Sequence, residues 1–394
     1  MAPKIFISAA EPSGDLHGAA LIREFLAQHP DAHFVGVAGP KMREQGCQAI
    51  ADMTARAAML TGVVSNARAA AAVLARTTHE FSHHHYDAAV VIDSPMLNLP
   101  IALRAKSRAI PVLYYIAPQL WAWGAYRAHK VRARVDKLAV ILPFEEDYFR
   151  NVGLDAAYVG HPLFDHLASR QPDPAQVRAI QAAGQPVIAV LPGSRKHVVR
   201  EVLPGQLEVA AAVRQRHPDA HIVVSTANPT VAKIIQEGTK ARRHGGTKGN
   251  CQSSIVSGQS SLASLLSAAD LTLVASGTAT LEVAYHGCPM IVMYNGSRLM
   301  YHLLGRWMIT SKYLSLVNIL AQRELVPEFM PYYRTTGPIV RTALDLLASA
   351  DRLDRIRAEL AELIAPIASP GASARTARML SEMIDSGSAT ADNN

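Results

Sequence analysis

Short apolar runs alternate with longer amphipathic segments along most of this chain. In the first half the strand-like runs are KIFISAA, HFVGVAG, DAAVVID, PVLYYIA, KLAVILP and AAYVGHP, with helical patterns such as HGAALIREFLAQ and NARAAAAVLARTTHEF between several of them. The second half restarts with PVIAVLPG, HIVVSTA, SSIVSGQ, LTLVASG and PMIVMYN. Such alternation is typical of parallel sheets covered by helices on both faces. The pattern predicts two doubly wound, Rossmann-like α/β domains.

Breaks in this pattern suggest the domain boundaries. The segment QPDPAQ at 171–176 is proline-rich and has no strand signal, so we place one domain at 1–172 and the next at 173–340. Apolar spacing of three and four predicts C-terminal helices over 341–385 that pack back across the domains. Residues 386–394 lack apolar anchors and are expected to be disordered. Two such domains are expected to face each other across a cleft, at the carboxyl ends of their strands.

Composition narrows the class of protein. The chain has 394 residues, 49% hydrophobic and 18% charged, and a net charge of +7, which favours anionic partners such as nucleotides, phosphorylated lipids, a membrane surface or nucleic acid. No apolar stretch is long enough to cross a bilayer, and the N-terminal apolar run is too short for a secretory signal, so we expect a cytoplasmic protein. Three distant cysteines, Cys47, Cys251 and Cys288, indicate neither disulfides nor a zinc site.

Polar residues follow the strand patterns of the second half. VASGTATLE carries Ser276, Gly277, Thr278 and Glu282 where an apolar run gives way to a helix. Backbone N–H groups at a helix N-terminus favour a phosphate or diphosphate, and Glu282, one turn on, can reach a sugar hydroxyl. LPGSRK adds Ser194 and Arg195, whose guanidinium suits phosphate oxygens. These motifs are also compatible with an ordinary cap and an ordinary exposed turn.

The first half carries a comparable set of strand-end residues. Asp93 ends DAAVVID, and a poorly solvated carboxylate there is suited to act as a general base; a turn cap is equally compatible. The other candidates for the cleft and its acceptor side come from EPSGD, the aromatic motif QLWAWG and VGHP, with capping or packing as alternative roles: Glu11, Ser13, Gly14, Asp15, Trp121, Trp123 and His161.

Two further features favour an ordinary surface. Adjacent histidines such as His83, His84 and His85 point in different directions and are expected to form a surface turn, not a metal site. The basic loop 237–254 is expected to be a solvated excursion. There is no Asp-x-Asp motif to hold a divalent ion on a nucleotide sugar, so we expect neither a metal nor a cofactor.

The ordered motifs EPSGD, VGVAGPKM, VIDSP, APQLWAW, LPFE, VGHPL, LPGSRK, ASGTATLE and YLSLVNILAQRELVPE resemble the lipid-A-disaccharide synthase family. The resemblance runs from Lys4 to about Pro331. It implies an inverting glycosyltransferase of the GT-B type. The family moves 2,3-diacylglucosamine from its UDP derivative to 2,3-diacylglucosamine 1-phosphate, which forms the β-1,6-linked lipid A disaccharide 1-phosphate and UDP.

The resemblance also assigns roles to residues. It implies that Asp93 is the base for the acceptor 6-hydroxyl, that Arg195 contacts the donor diphosphate and that Asn318 belongs to the donor site. It further implies a peripheral enzyme on the inner membrane and a homodimer with exchanged C-terminal parts. Nucleic acid is not an expected partner.

Departures from the family pattern leave two alternatives open. Met96 replaces a second aspartate after Asp93, Gln322 stands where glycine is usual, and the region MLTGVVSNARAAAAV lacks the family's glutamate and is Ala-rich. A non-hydrolysing UDP-sugar epimerase would share the two-domain architecture. A nucleotide- or lipid-binding relative with altered catalysis would share the motifs.

Overall fold

The computed structural model describes residues 2–54, 63–122, 124–226, 231–235, 254–257, 259–296 and 311–391. The chain forms two compact units. The first unit comprises Met1–Asp165 together with Ser369–Asn394, and the second unit comprises His166–Ala368. The chain thus leaves the first unit, builds the second one, and returns to the first.

The first unit contains a parallel sheet of seven strands in the order β3-β2-β1-β4-β5-β6-β7, within the described residues. This order reverses direction between β1 and β4, which is where doubly wound sheets bind ligands. The strands are β1 (Lys4–Ala9), β2 (His33–Val37), β3 (Gln48–Ala51), β4 (Ala88–Ile92), β5 (Val112–Tyr115), β6 (Lys137–Val140) and β7 (Ala156–Tyr158). The helices are α1 (Pro12–Leu26), α2 (Pro40–Glu44), α3 (Val63–His83), α4 (Pro95–Lys106), α5 (Ala128–Arg132), α6 (Pro143–Asn151) and, after β7, α7 (Pro162–Ala168), which crosses into the second unit.

Alternation along each strand divides the core of the first unit into two layers. Phe6 in β1 and Val91 in β4 point into one layer, while Ile7 and Ile92 point into the other. Successive side chains of a strand face opposite sides of the sheet, so continuous apolar strands are needed when both sides are covered. This explains why the strands appear in the sequence as continuous apolar runs and not as alternating apolar and polar residues.

The second unit contains a parallel sheet in the order β10-β9-β8-β11-β12-β13, again within the described residues. The reversal lies between β8 and β11. Its strands are β8 (Val187–Leu191), β9 (His221–Thr226), β10 (Ser254–Ser257), β11 (Leu271–Ala275), β12 (Met290–Met293) and β13 (Glu328–Phe329). Its helices are α8 (Pro174–Ala182), α9 (Lys196–Arg216), α10 (Gln259–Ala268), α11 (Ala279–Tyr285), α12 (Leu316–Ala321), α13 (Gly337–Leu347) and α14 (Ala350–Ile364).

The last helix, α15 (Ala372–Ala391), covers one face of the first sheet. Its residues Ala377, Leu380 and Met383 join the core layer that contains Ile7. The Asp165 carboxylate accepts hydrogen bonds from the backbone N–H groups of Gly371, Ala372 and Ser373 at 2.6–3.1 Å. A carboxylate at this position satisfies unpaired amides and complements the helix dipole.

The predicted α/β class and its parallel strands are confirmed, since each of the eleven apolar runs contains a strand. The half-buried edge strands β3 and β13 had not been predicted. In the C-terminal region, Ser349 separates α13 from α14 and caps α14 by accepting the N–H of Arg352. Helix α15 continues through Ala391.

Candidate active site

Asp93 lies directly after β4, at the reversal point of the first sheet. Its backbone has φ of +49°, and Ser94 follows with φ of +46° and ψ of +61°. Two consecutive left-handed residues other than glycine cost of the order of 1–2 kcal/mol each. Such strain persists only where the surrounding structure fixes it, and it clusters at functional sites.

Four hydrogen bonds fix this turn. The side-chain amide of Asn98 donates to the carbonyl oxygens of Ile92 at 2.7 Å and Asp93 at 2.8 Å. The Tyr114 hydroxyl donates to the same Asp93 carbonyl at 2.8 Å, and Ser8 Oγ donates to Asn98 Oδ1 at 2.7 Å. Ser8 and Asn98 are fully buried. Sequence reasoning missed both, and the contact between them joins positions that are 90 residues apart in the sequence.

The EPSGD motif forms the beginning of helix α1, beside the Asp93 turn. Gly14 packs against the strand ends, because a Cβ there would lie 3.2 Å from Ala9 Cβ and 3.8 Å from Ile92 Cγ2. Ser13 is exposed and Glu11 is half-buried. Asp15, expected to face a ligand, is instead buried, with a structural role. Its carboxylate accepts three backbone N–H groups at the start of α2, those of Gly39, Lys41 and Met42, at 2.9–3.0 Å.

Trp121 is half-buried beyond the end of β5. Its indole N–H donates to Glu145 Oε1 at 2.9 Å, and its ring packs edge-on against Phe144 at 4.9 Å between centroids. Glu145 is buried and also accepts the N–H groups of Ile141 and Leu142. Burial raises the pKa of Glu145 to about 7, although these hydrogen bonds oppose the shift. Trp123 lies outside the described residues.

His161 is buried shortly after the end of β7, at Tyr158. Its Nδ1 accepts the N–H of Leu163 at 3.1 Å, and its ring lies edge-on to Phe164. Burial lowers the pKa of His161 to about 4, and the nearby charge of Asp165 only partly opposes this. His161 is therefore neutral near pH 7 and holds the turn into α7.

In the second unit, LPGSRK connects β8 to the long helix α9. Gly193 has φ of +102°, and a Cβ there would lie 3.2 Å from Val198 and 3.6 Å from Ala275 at the end of β11. The close approach brings this turn against the neighbouring strand end. Ser194 and Arg195 are exposed. Helix α9 begins at Lys196 with no acidic residue in its first turn, so the dipole and the local side chains both favour an anion.

The SGT turn follows β11, next to β8 in the sheet. Gly277 has φ of +138° and open space where a Cβ would be, and Thr278 does not cap helix α11 with its side chain. Gly277 and Thr278 are exposed, and Ser276 and Glu282 are half-buried. Burial raises the pKa of Glu282, and the charge of Arg170 opposes this shift. The turn therefore presents polar backbone at the same sheet edge as Arg195.

Asn318 is fully buried and its side-chain amide bonds to groups of the loop before β13, and its assignment to the donor site stays a prediction. Its Oδ1 accepts the N–H groups of Leu325 and Val326, while its Nδ2 donates to Val326 O and Glu328 Oε2, all at 2.9–3.0 Å. Glu328 also accepts from Leu314 N, Ser315 N and Ser315 Oγ. The pair thus fixes the loop between α12 and β13.

Gln206 is a second buried amide that sequence reasoning missed. It lies on α9 and is fully buried. Its Nε2 donates to the carbonyl oxygens of Leu191, at the end of β8, and Leu273, in β11, at 3.2 and 3.0 Å. The helix that follows LPGSRK is thereby attached to both strands of the reversal point.

No group of three or more His, Cys, Asp or Glu side chains that could hold a metal ion occurs among the described residues. His84 and His85 instead lie 3.7 and 3.6 Å from the carboxylates of Glu80 and Asp87 at the exposed end of α3. In the same described part of the chain, no helix is long and apolar enough to cross a membrane. Most of loop 237–254 lies outside the described residues.

Comparison with known proteins identifies the family. The model of a family described as lipid-A-disaccharide synthetase matches residues 5–379. The chain belongs to this family. It is 35% identical to the lipid-A-disaccharide synthase of Syntrophus aciditrophicus over 96% of this chain and 97% of that protein. It is 31% identical to that of Myxococcus xanthus over 98% of both chains.

Family membership supports glycosyltransferase activity in lipid A synthesis. Solved structures add the fold alone. A UDP-N-acetylglucosamine 2-epimerase from Listeria monocytogenes superimposes with a TM-score of 0.61 at 13% identity, covering 95% of this chain and 94% of that one. A UDP complex of MnaA from S. aureus gives 0.63 at 10% identity with the same coverage. Because the epimerase likeness is confined to the fold, it does not favour an epimerase activity.

Proposed function

We propose that this chain transfers 2,3-diacylglucosamine from its UDP derivative to the 6-hydroxyl of 2,3-diacylglucosamine 1-phosphate. The family match over nearly the whole chain carries this proposal. In the reaction the acceptor oxygen attacks C1 of the donor sugar with inversion, and its proton passes to the Asp93 carboxylate. The bond between C1 and the diphosphate oxygen breaks, and its electron pair leaves with UDP.

The donor is assigned to the second unit. Arg195, Ser194 and the backbone around Ser276–Thr278 are proposed to hold the diphosphate, and Glu282 a ribose hydroxyl. Two observations support this: an exposed arginine precedes the N-terminus of α9, and the adjacent SGT turn is open. Positive charge and fixed dipoles there would stabilise the charge of the leaving diphosphate. Asn318 would act indirectly, by fixing the loop before β13.

The acceptor is assigned to the first unit, with Asp93 proposed as the base and Glu11, Ser13 and Trp121 proposed as acceptor-side residues. We also propose that the enzyme works at the inner membrane surface and forms a homodimer. The net charge of +7 supports binding to anionic lipid. Exposed Met96 and Tyr126, the latter beside a basic helix, supply apolar side chains for such a surface.

A two-substrate assay tests the proposal. UDP release should require both the UDP-linked donor and the monosaccharide 1-phosphate, and Asp93→Asn should lower turnover by about a hundredfold or more with UDP affinity retained. Arg195→Ala should instead weaken UDP binding. UDP release or donor conversion without acceptor would overturn the transfer reaction, and full turnover by Asp93→Asn would overturn the role of the base.

A further inference from the structure

We propose that Asn98, with Tyr114, is a positioning residue for Asp93. This rests on the proposed role of Asp93 as the base. The two side chains hold the left-handed turn that carries Asp93, although neither is proposed to touch a substrate.

The turn lies where the chain must change direction between a buried strand and a helix. Ile92 is fully buried at the end of β4, and helix α4 begins at Pro95. Asp93 and Ser94 between them both have positive φ. Neither residue is a glycine, so the local sequence does not favour this conformation. The surroundings must therefore select it.

Asn98, in the first turn of α4, selects this backbone conformation. Both of its amide hydrogens are used on consecutive carbonyls, those of Ile92 and Asp93. This also settles the orientation of the amide, because the opposite orientation would set Oδ1 against two carbonyl oxygens. Ser8 on β1 then donates to Oδ1. Strand β1, which neighbours β4, thereby holds the Asn98 side chain in place, and Asn98 in turn holds the Asp93 turn.

Tyr114 holds the same peptide from the other side. Its hydroxyl on β5 donates to the Asp93 carbonyl, which thus accepts two side-chain hydrogen bonds. The Asp93 charge also lies close enough to raise the pKa of Tyr114, after burial as the larger cause. Strands β1 and β5, which flank β4 on its two sides, therefore both contribute to one peptide unit.

The test compares kcat, KM and thermal stability in four single variants of the full chain. Asn98→Asp keeps the shape of the side chain but loses both donors, and Tyr114→Phe loses only the hydroxyl. We expect kcat to fall about a hundredfold in Asn98→Asp and about tenfold in Tyr114→Phe. KM for both substrates should stay within about threefold of the unchanged protein, because a small displacement of a reacting group lowers the rate before it weakens binding. Thr376→Val is the matched control, since it removes an equally buried hydroxyl-to-carbonyl bond on α15.

A rescue separates positioning from general stability. Ser94→Gly adopts positive φ without strain, so adding it to Asn98→Asp should restore at least part of kcat. The proposal is overturned if, at an equal loss of melting temperature, kcat falls no more in Asn98→Asp and Tyr114→Phe than in Thr376→Val. If Asn98→Asp does not fold, Tyr114→Phe decides alone. Asp93→Asn, the fourth variant, tests the base itself. Full activity of Asp93→Asn would contradict the proposed function. An inactive Asp93→Asn together with a fully active Tyr114→Phe would contradict only this inference.

Discussion

At the scale of single residues, many polar side chains in the family motifs bind the protein's own backbone. Asp15 holds the start of α2, Asn318 holds the loop before β13, and Glu145 holds the turn into α6. A carboxylate or amide that satisfies several buried N–H groups is costly to replace, because each group left unpaired costs about 1–3 kcal/mol. Such side chains therefore fix the local backbone of the motifs that carry them.

Glu145 should make stability depend on pH. Its folded pKa of about 7 exceeds the ordinary 4.5, so the folded state binds more protons than the unfolded state between these values. The free energy of unfolding therefore falls as pH rises through this window, by at most roughly 3 kcal/mol. Glu145→Gln should remove this dependence. Urea unfolding of both proteins at pH 5 and pH 7.5 measures it, and equal losses in the two would contradict the assignment.

The left-handed backbone conformation at Gln322 explains why glycine suits this position. It follows helix α12 with φ of +53° and is exposed, so it carries left-handed strain without compensating burial. Gln322→Gly should stabilise the protein by a few tenths to about 1 kcal/mol. Thermal unfolding measures this, with Gln181→Gly as the control. Gln181 is exposed inside helix α8, so glycine there should destabilise by about 1 kcal/mol. A lower stability of both Gln322→Gly and Gln181→Gly would refute the explanation.

At the scale of elements, the docking of α15 depends on its first turn. Besides the Asp165 cap, Arg375 Nε donates to the carbonyl of Val159 at 2.7 Å. Asp165→Asn removes the charge and should weaken the cap by about 1–2 kcal/mol. Hydrogen exchange of α15 amides should then be about 5–30 times faster. Asp31→Asn, at an exposed site of the first unit, should leave this exchange unchanged; equal exchange in both variants would count against the cap.

The inner strands of both sheets were predictable because they are buried on both faces and therefore appear as continuous apolar runs. Edge strands β3 and β13 are half-buried and short, so the sequence carried no comparable run. Asp93 could be proposed because it directly follows β4, and Arg195 because it lies in the turn between β8 and α9; their chemical roles stay predictions. Asn98, Gln206 and Glu328 could not be found in this way, since each acts on backbone groups that only the folded chain brings together.

At the scale of the whole molecule, each unit has its own sheet and core. The second unit is one continuous stretch, His166–Ala368, and carries all the residues proposed to hold UDP. Expressed alone, it should fold cooperatively and bind UDP within about tenfold of the full chain, with no transfer activity. Calorimetric titration with UDP checks this. A fragment that folds but does not bind UDP would show that the first unit contributes to donor binding.

The first unit is instead discontinuous, because α15, which completes its core, is encoded after the second unit. During synthesis at about 5–20 residues per second, the ribosome needs roughly 10–40 s to make the second unit before α15 emerges. For that interval the nascent first unit keeps apolar side chains such as Phe25 and Ile22 without the helix that covers them. A chain terminated after Ala368 would therefore leave these apolar side chains without the helix that covers them.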